Sequence, residues 1–139
     1  MQWDKALECG VEPVDSEHRQ LFQMVEDLLN SAKIEHDLDA PSKALAFLED
    51  YVVTHFAHEE ALMQRCAYPH AGEHAELHAK FTQALKDLKT KYELSNGSRN
   101  TIKEINHTAM SWLVNHIQVI DMRFTKYYLE HASQTQPNG

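Results

Sequence analysis

The sequence predicts an all-α protein, an antiparallel up-down-up-down four-helix bundle preceded by an N-terminal arm. Three observations support this fold class. Four amphipathic segments of roughly 20–30 residues follow one another, each with apolar residues at alternating steps of three and four. The connections between the segments are short, as expected for antiparallel neighbours. No segment shows the strict alternation of apolar and polar residues that would indicate a strand.

Residues 1–14 are predicted to form the arm, and the first helix follows it. Pro13 is expected to mark the end of the arm. Asp15 fits the N-cap position of a helix that runs to about His36. One face of this helix carries a histidine followed by four apolar residues at steps of three and four, namely His18, Leu21, Val25, Leu28 and Ala32.

Three further helices are predicted after the first. Asp39 and Pro41 suit the start of the second helix, because proline is tolerated in a first turn. Residues 66–69 form a break, since the residue before a proline avoids helical angles. The sequence Ser-Asn-Gly-Ser at 95–98 indicates the loop before the last helix. Residues 133–139 are expected to be a frayed tail.

Length and composition fit a single domain over residues 1–139. Asp and Glu total 21 against 13 Lys and Arg, which gives a net charge of −8 with neutral histidines. This charge argues against nucleic acid and membrane surfaces as partners, because both bind basic surfaces. The two cysteines form no close pair, no apolar run could insert into a membrane, and the N-terminus lacks a signal-like segment. We therefore expect a cytoplasmic location.

The inward faces of the predicted helices carry an unusual number of polar side chains. We call the line of residues at steps of three and four that packs inward in the bundle its seam. Six polar side chains fall on this seam, at His18, His55, Glu59, His74, His78 and His116. A buried imidazole or carboxylate is costly unless it is paired or bound to a metal ion. Six such positions in one small bundle would be hard to stabilise without a compensating ion. Asp121, on the same segment as His116, adds a seventh candidate ligand.

The spacing of these residues is regular at two places and irregular at a third. Four residues separate the members of two pairs, which places both side chains about 40° apart on one helix face; these pairs are His55 with Glu59 and His74 with His78. His116 and Asp121 are five residues apart, which corresponds to about 140° on an ideal helix. Either the helix ends or bends near Val119, or it contains a π-type turn, in which i and i+5 align. We take the π-turn as a hypothesis.

The ligand types restrict the metal and the number of ions. Imidazole with carboxylate suits iron, zinc, copper or nickel. Seven ligands are too many for one ion and suit two. If Glu59 and Asp121 both bridge, the two ions lie roughly 3.5–4 Å apart, as in other two-metal sites. Five histidines then divide three and two, which leaves one closed ion and one ion with an open position for a small ligand.

Five short motifs contain the candidate ligands or lie between them. They are Asp15-x-x-His18, His55-Phe56-x-x-Glu59-Glu60, Met63…Tyr68-Pro69, His74-x-x-x-His78 and Trp112-Leu113-Val114-Asn115-His116-Ile117-x-x-x-Asp121. This set resembles the motifs of the hemerythrin family and, within it, of the single-domain bacteriohemerythrins. The resemblance covers about residues 3–128 and includes all seven ligand positions in order.

The resemblance implies a non-haem di-iron centre, with iron as Fe2+ or Fe3+, that binds O2 reversibly. By this resemblance the closed iron is held by His74, His78 and His116, and the open iron by His18 and His55. The two ions would be bridged by Glu59, Asp121 and an oxo or hydroxo group. The chain departs from the family pattern in two places. The Leu7-Glu8-Cys9-Gly10 segment replaces a more usual arm with an aromatic residue, and His58 and His70 are additional histidines.

An apolar pocket for O2 is also expected beside the open iron. Our candidates for its wall are Trp112 and Leu113, about one turn before His116, together with Phe56 and Phe22. Glu60 is interpreted either as a surface carboxylate, which we favour, or as a carboxylate behind a ligand. The remaining histidines are interpreted as solvated or end-of-bundle residues, namely His36, His58, His70, His107 and His131.

Reversible O2 binding is the expected function, for a carrier, a store or a delivery protein. O2 and an O2-consuming or redox protein are the expected partners. The alternatives are a di-iron O2 or redox sensor, an oxidoreductase of peroxidase or nitric-oxide type, and an iron-storage protein. A ferritin-like oxidase needs two Glu-x-x-His repeats, and only the one from Glu104 to His107 fits, off the seam. A zincin needs His-Glu-x-x-His, whereas Glu76 stands one place too late. We therefore do not expect an enzyme.

Overall fold

The computed structural model describes residues 3–33 and 38–135, with side chains as far as residue 131. Its helices are α1 (Val14–Ser31), α2 (Asp39–Arg65), α3 (Ala71–Leu94) and α4 (Arg99–Asn115); α4 continues through a π-helical segment (His116–Asp121) into α5 (Met122–Thr135). Helix α1 packs against α2 and α4, and α3 packs against the same two helices. The described ranges contain no strand. The predicted all-α four-helix bundle is confirmed.

The N-terminal arm makes one 3₁₀ turn (Lys5–Leu7) and then folds back against the start of α1. Helix α1 begins at Val14, so the prediction that Asp15 is its N-cap is wrong. The Asp15 carboxylate instead accepts hydrogen bonds from the backbone N–H groups of Cys9, at 2.7 Å, and Gly10, at 2.9 Å. Asp15 faces the arm because the arm brings unpaired backbone donors to the first turn of the helix.

The ends of the helices agree with the sequence at some positions and not at others. Helix α1 ends at Ser31, whereas its predicted end near His36 lies outside the described residues. Helix α2 begins at Asp39, as predicted. Helix α5 extends through Thr135, into the segment expected to be frayed, and residues 136–139 are outside the described range.

Both predicted breaks between later helices are present. After α2, the N–H of Tyr68 donates to the carbonyl of Met63 at 2.9 Å and closes the end of the helix. Between α3 and α4, Gly97 has a φ of 82°, which glycine adopts without steric cost. Ser98 then caps α4 by accepting a hydrogen bond from the N–H of Thr101. Among the described residues, no helix is long and apolar enough to cross a membrane.

Three apolar clusters lie along the bundle and determine where the polar seam residues are buried. The central cluster includes Phe22, Val52, Phe56, Phe81, Leu113 and Ile117. A second cluster contains Met63, Cys66, Tyr68 and Phe124, and a third contains Leu28, Leu45, Tyr92, Ile102 and Ile105. On α2, on α3 and on the helix formed by α4 and α5, the candidate ligands fall between residues of the first two clusters. The site therefore lies inside the bundle, between these two clusters.

Candidate metal centre

All seven candidate ligands meet in the interior of the bundle. Helix α1 contributes one residue, α2 and α3 two each, and the π segment its first and last residues. Each is at most 3% exposed. The seven are His18, His55, Glu59, His74, His78, His116 and Asp121. The six polar seam positions and Asp121 are thus all buried, as predicted.

The π segment explains the irregular spacing of the last pair. In a π-helix, residues i and i+5 lie above one another. The Nε2 atom of His116 is accordingly 3.1 Å from Oδ1 of Asp121. The helix does not end at Val119, which is 57% exposed on the outer side of the segment. Of the two explanations left open by the sequence, the π-turn is the one that the structure shows.

Each carboxylate uses one oxygen to face a group of two histidines, His18 and His55. Oε2 of Glu59 lies 3.1 Å from Nε2 of His18 and 3.2 Å from Nε2 of His55. Oδ2 of Asp121 lies 3.1 Å from the same His18 nitrogen. We call these two residues the two-His group.

The other oxygen of each carboxylate faces a three-His group, formed by His74, His78 and His116. Oε1 of Glu59 lies 3.1 Å from Nε2 of His78. Oδ1 of Asp121 lies 2.9 Å from Nε2 of His74 and 3.1 Å from Nε2 of His116. One donor atom from each of these five residues lies within 4.8 Å of all the others. Two carboxylates therefore stand between two sets of imidazoles, with one oxygen directed at each set.

Hydrogen bonding within the protein does not satisfy these atoms. Glu59 Oε1, His78 Nε2 and Asp121 Oδ1 are buried and lack a hydrogen-bond partner. The Nε2 atoms of His74 and His116 are 3.2 Å apart, where at most one of two neutral rings can donate to the other. Metal ions between the carboxylates and the imidazoles would bind all of these lone pairs. The donor set, without thiolate, fits two transition-metal ions such as iron.

The protein's own charges keep both carboxyl groups ionised. Although burial opposes ionisation, the nearby His55 and hydrogen bonds from other imidazoles hold the pKa of Glu59 well below its usual range. Burial and the Glu59 charge oppose ionisation of Asp121, yet the close imidazoles of His116, His18 and His74 lower its pKa too. The same contacts raise the pKa of His18 and of His55 against the opposite effect of burial. The site therefore contains two ionised carboxylates between the two groups of histidines before any cation is added.

Two further carboxylates contact the outer ring nitrogens of candidate ligands. Nδ1 of His55 lies 2.8 Å from Oε1 of Glu17, and Nδ1 of His78 lies 2.9 Å from Oε2 of Glu60. Such contacts fix the orientation of a metal-binding imidazole and increase its basicity. Glu17 was missed by the sequence analysis, and the favoured surface interpretation of Glu60 is incomplete, since this residue is 40% exposed but also contacts a ligand. Their only sequence signal is that each adjoins a candidate ligand.

The histidines outside the seven are mostly exposed, as predicted. His70 is 47% exposed, and His107 is exposed as well. His58 is 50% exposed, but its Nδ1 atom lies 2.6 Å from Oε2 of Glu17. His131 stacks on a tyrosine ring of its own helix. His36 lies outside the described residues.

Aromatic rings among the predicted pocket residues pack directly on candidate ligands. Phe56 stacks on His78, with ring centroids 3.7 Å apart and planes 1° apart. Trp112 stacks on His116 at 4.2 Å and on Phe81 at 3.9 Å. Both rings thus lie against the three-His group, and Phe56 is also 5.9 Å from the ring of His55.

The remaining pocket candidates belong to the same central cluster. Leu113 and Phe22 are 2% and 3% exposed, and Phe22 makes an edge contact with Trp3 of the arm. Ile117 is completely buried in this cluster and was not among the predicted pocket residues. Its position directly after His116 was the available signal. The four predicted residues therefore lie on one apolar side of the site.

Comparisons with known proteins agree with this geometry. A family model described as "Hemerythrin HHE cation binding domain" matches residues 9–128. The bacteriohemerythrin of Methylococcus capsulatus is 33% identical over 122 residues, which cover 87% of this chain and 91% of that protein. The myohemerythrin of Theromyzon tessulatum is 32% identical over 123 residues, which cover 88% of this chain and 89% of that protein.

Solved structures with the same fold are also found. A crystal structure of wild-type hemerythrin is 30% identical and superimposes with a TM-score of 0.78. The match covers 92% of this chain and 97% of that chain. The similarity therefore extends over almost the whole bundle.

Proposed function

This chain belongs to the hemerythrin family, and we propose that it binds O2 reversibly at a non-haem di-iron centre. It would act as a carrier, a store or a delivery protein for O2. The observation that carries the proposal is the division of carboxylate oxygens, because each of the two buried carboxylates directs one oxygen to each group of histidines.

We propose that the two groups of histidines hold different irons. The three-His group would hold the closed iron, and His18 with His55 would hold the open iron. Glu59 and Asp121 would bridge the two ions, with an oxo or hydroxo group as the third bridge. With both bridges shared, the two-His ion receives one fewer protein ligand, which supports binding of a small molecule at that ion alone.

The iron pair, when bound, supplies the two electrons needed to bind O2 reversibly. The protein residues exclude water and hold the ligands in place. Leu113, Phe22 and Ile117 provide an apolar side, and Phe56 with Trp112 packs on the ligand rings. We propose these residues as the wall of the O2 pocket.

We propose a binding protein and not an enzyme. The carboxylates Glu17 and Glu60 contact the outer nitrogens of ligand rings. They therefore lie behind the imidazoles, where they orient a ligand and do not face the open position. A peroxidase would need an acid–base group beside that position. A ferritin-like site needs two Glu-x-x-His repeats that face inward. This chain has one such repeat, and its Glu104 and His107 are exposed, so it supports neither a ferritin-like oxidase nor ferritin-like iron storage.

Delivery of O2 would require a second protein that receives it. We propose an O2-consuming or redox protein as this partner. A reducing, cytoplasmic location is also part of the proposal. The two free cysteines, Cys9 and Cys66, support it because unpaired thiols persist best in reducing compartments.

An absorption spectrum of the reduced, iron-loaded protein tests the function directly. We expect a charge-transfer band in the near-ultraviolet and visible region when air is admitted. The band should disappear when O2 is removed and return on a second exposure. Iron should be present at two ions per chain. A band that never reverses, or a protein with two irons and no response to O2, would contradict reversible binding.

A further inference from the structure

The N-terminal arm places a thiol behind one of the candidate ligands. A ring nitrogen of His18, Sγ of Cys9 and a carboxylate oxygen of Asp15 lie within 4.8 Å of one another. His18 is 1% exposed, and its Nε2 atom faces Glu59 and Asp121 at 3.1 Å. Nδ1 is therefore the ring nitrogen left to face the arm.

Nδ1 of His18 lacks the carboxylate partner that the same ring nitrogen has in two other candidate ligands. Nδ1 of His55 and Nδ1 of His78 each contact a glutamate. Nδ1 of His18 is buried and has no hydrogen-bond partner among the described residues, and Sγ of Cys9 lies within 4.8 Å of the ring. An imidazole that binds a metal through Nε2 carries its proton on Nδ1, and a buried N–H group needs an acceptor.

The surroundings of Cys9 leave its sulfur available as that acceptor. The backbone N–H of Cys9 is held by Asp15 at 2.7 Å, which fixes the position of the residue. The thiol is positioned to donate to the carbonyl oxygen of Leu7, with Sγ 3.9 Å from that oxygen. The thiol is thus a donor to the arm, and the sulfur lone pairs remain free to accept from His18.

We propose that Cys9 is a positioning residue for the open iron site, whose sulfur accepts a hydrogen bond from Nδ1–H of His18. The contact fixes the ring of His18 so that Nε2 faces both bridging carboxylates. At His18, Cys9 has the role that Glu17 has at His55, but the acceptor is a sulfur atom and not a carboxylate oxygen. The inference rests on the proposed di-iron function.

Proton NMR of the iron-loaded, diferrous protein tests this contact, because the ring N–H protons of iron ligands are shifted by the paramagnetic ions and exchange with solvent. Cys9→Ala should move one exchangeable resonance and make it exchange faster. The serine variant Cys9→Ser keeps a hydroxyl acceptor and should restore slow exchange. Iron affinity of Cys9→Ala, measured by competition with a chelator, should fall about 10-fold, at the lower end of the range for such outer contacts.

Cys66→Ala is the matched control. Cys66 is a buried thiol that also donates to a backbone carbonyl, at 3.7 Å from Met63, and it lies in a different cluster. Its loss should leave the shifted resonances and the iron affinity unchanged. Equal changes in Cys9→Ala and Cys66→Ala, or a native-like Cys9→Ala spectrum, would overturn the assignment of Cys9 alone. A native protein without any shifted resonances would overturn the di-iron function as well.

Discussion

At the residue scale, two buried carboxylates divide the site into its two-His and three-His groups. Glu59 and Asp121 are almost completely buried, and each separates two groups of imidazoles. Glu60, the next residue along the chain, is 40% exposed and contacts only the outer side of one ligand. Adjacent glutamates on one helix therefore have different roles, because about 100° separates their directions.

Replacing Glu59 by alanine is expected to remove at least one of the two irons. The variant would lose the proposed bridging ligand, and it leaves His18, His55 and His78 without a carboxylate that they contact. Iron per chain, measured by metal analysis after gel filtration, should fall from two to one or zero. Glu60→Ala is the control, and it should retain both irons with about 10-fold weaker binding. Two tightly held irons in Glu59→Ala would refute its bridging role.

Residue types and spacing were sufficient to predict the burial of all seven candidate ligands, but not the residues that contact them from behind. Glu17 reaches a ligand 38 positions away, and Glu60 one that is 18 positions away. Asp15 was assigned to a helix cap, whereas it binds the backbone of the arm. Contacts of this kind depend on how two segments approach each other, and local periodicity carries no information about that approach.

At the element scale, the π segment allows both His116 and Asp121 of the last helix to face the site. One additional residue between His116 and Asp121 is accommodated as a wider turn, and regular helix continues on both sides. Val119 lies on the exposed side of this turn. The segment thus behaves as an insertion of one residue into an otherwise regular helix.

Deletion of Val119 is therefore expected to be tolerated. His116 and Asp121 would become four residues apart, which places them on one face of an ordinary α-helix. The variant should keep a cooperative unfolding transition and two irons per chain. These properties can be measured by circular dichroism and metal analysis.

Deletion of Thr108 is the matched comparison. Thr108 is exposed in the regular part of α4, so its loss would rotate every following residue by about 100°. We expect a loss of more than about 4 kcal/mol of stability, because both ligands and the core residue Phe124 would leave their positions. If deletion of Val119 lowered stability and iron content as much as deletion of Thr108, the interpretation of the π segment as a one-residue insertion would be wrong.

At the scale of the whole molecule, the buried site links stability to pH and to metal. The histidines with raised pKa, His18 and His55, stabilise the metal-free fold below their unfolded pKa of about 6.5. This contribution is lost as the pH rises through the higher folded value. The carboxylates, whose pKa is lowered, contribute above about pH 4, and their contribution is lost as the pH falls through the lower folded value.

Metal-free and iron-loaded protein should therefore respond to pH in opposite directions. As the pH rises above about 6.5, the metal-free protein should lose stability until His18 and His55 become neutral in the folded state. The iron-loaded protein should gain stability as the pH rises through about 6.5, because iron keeps the imidazoles of the folded state unprotonated while those of the unfolded chain lose their protons. Denaturant midpoints at several pH values, with and without iron, measure both trends. Parallel profiles for the two forms would contradict this linkage.

The sequence alone determined the helical class, the approximate segments and the seven candidate ligands that the structure buries together. These follow from periodicity, because a residue's place on a helix face depends only on its near neighbours. Tertiary structure decided which oxygen faces which group of histidines, that a π segment accommodates the Asp121 ligand, and that the arm brings Cys9 to His18. These features depend on the relative rotation and approach of segments that are distant in the chain, which only packing of the whole bundle establishes.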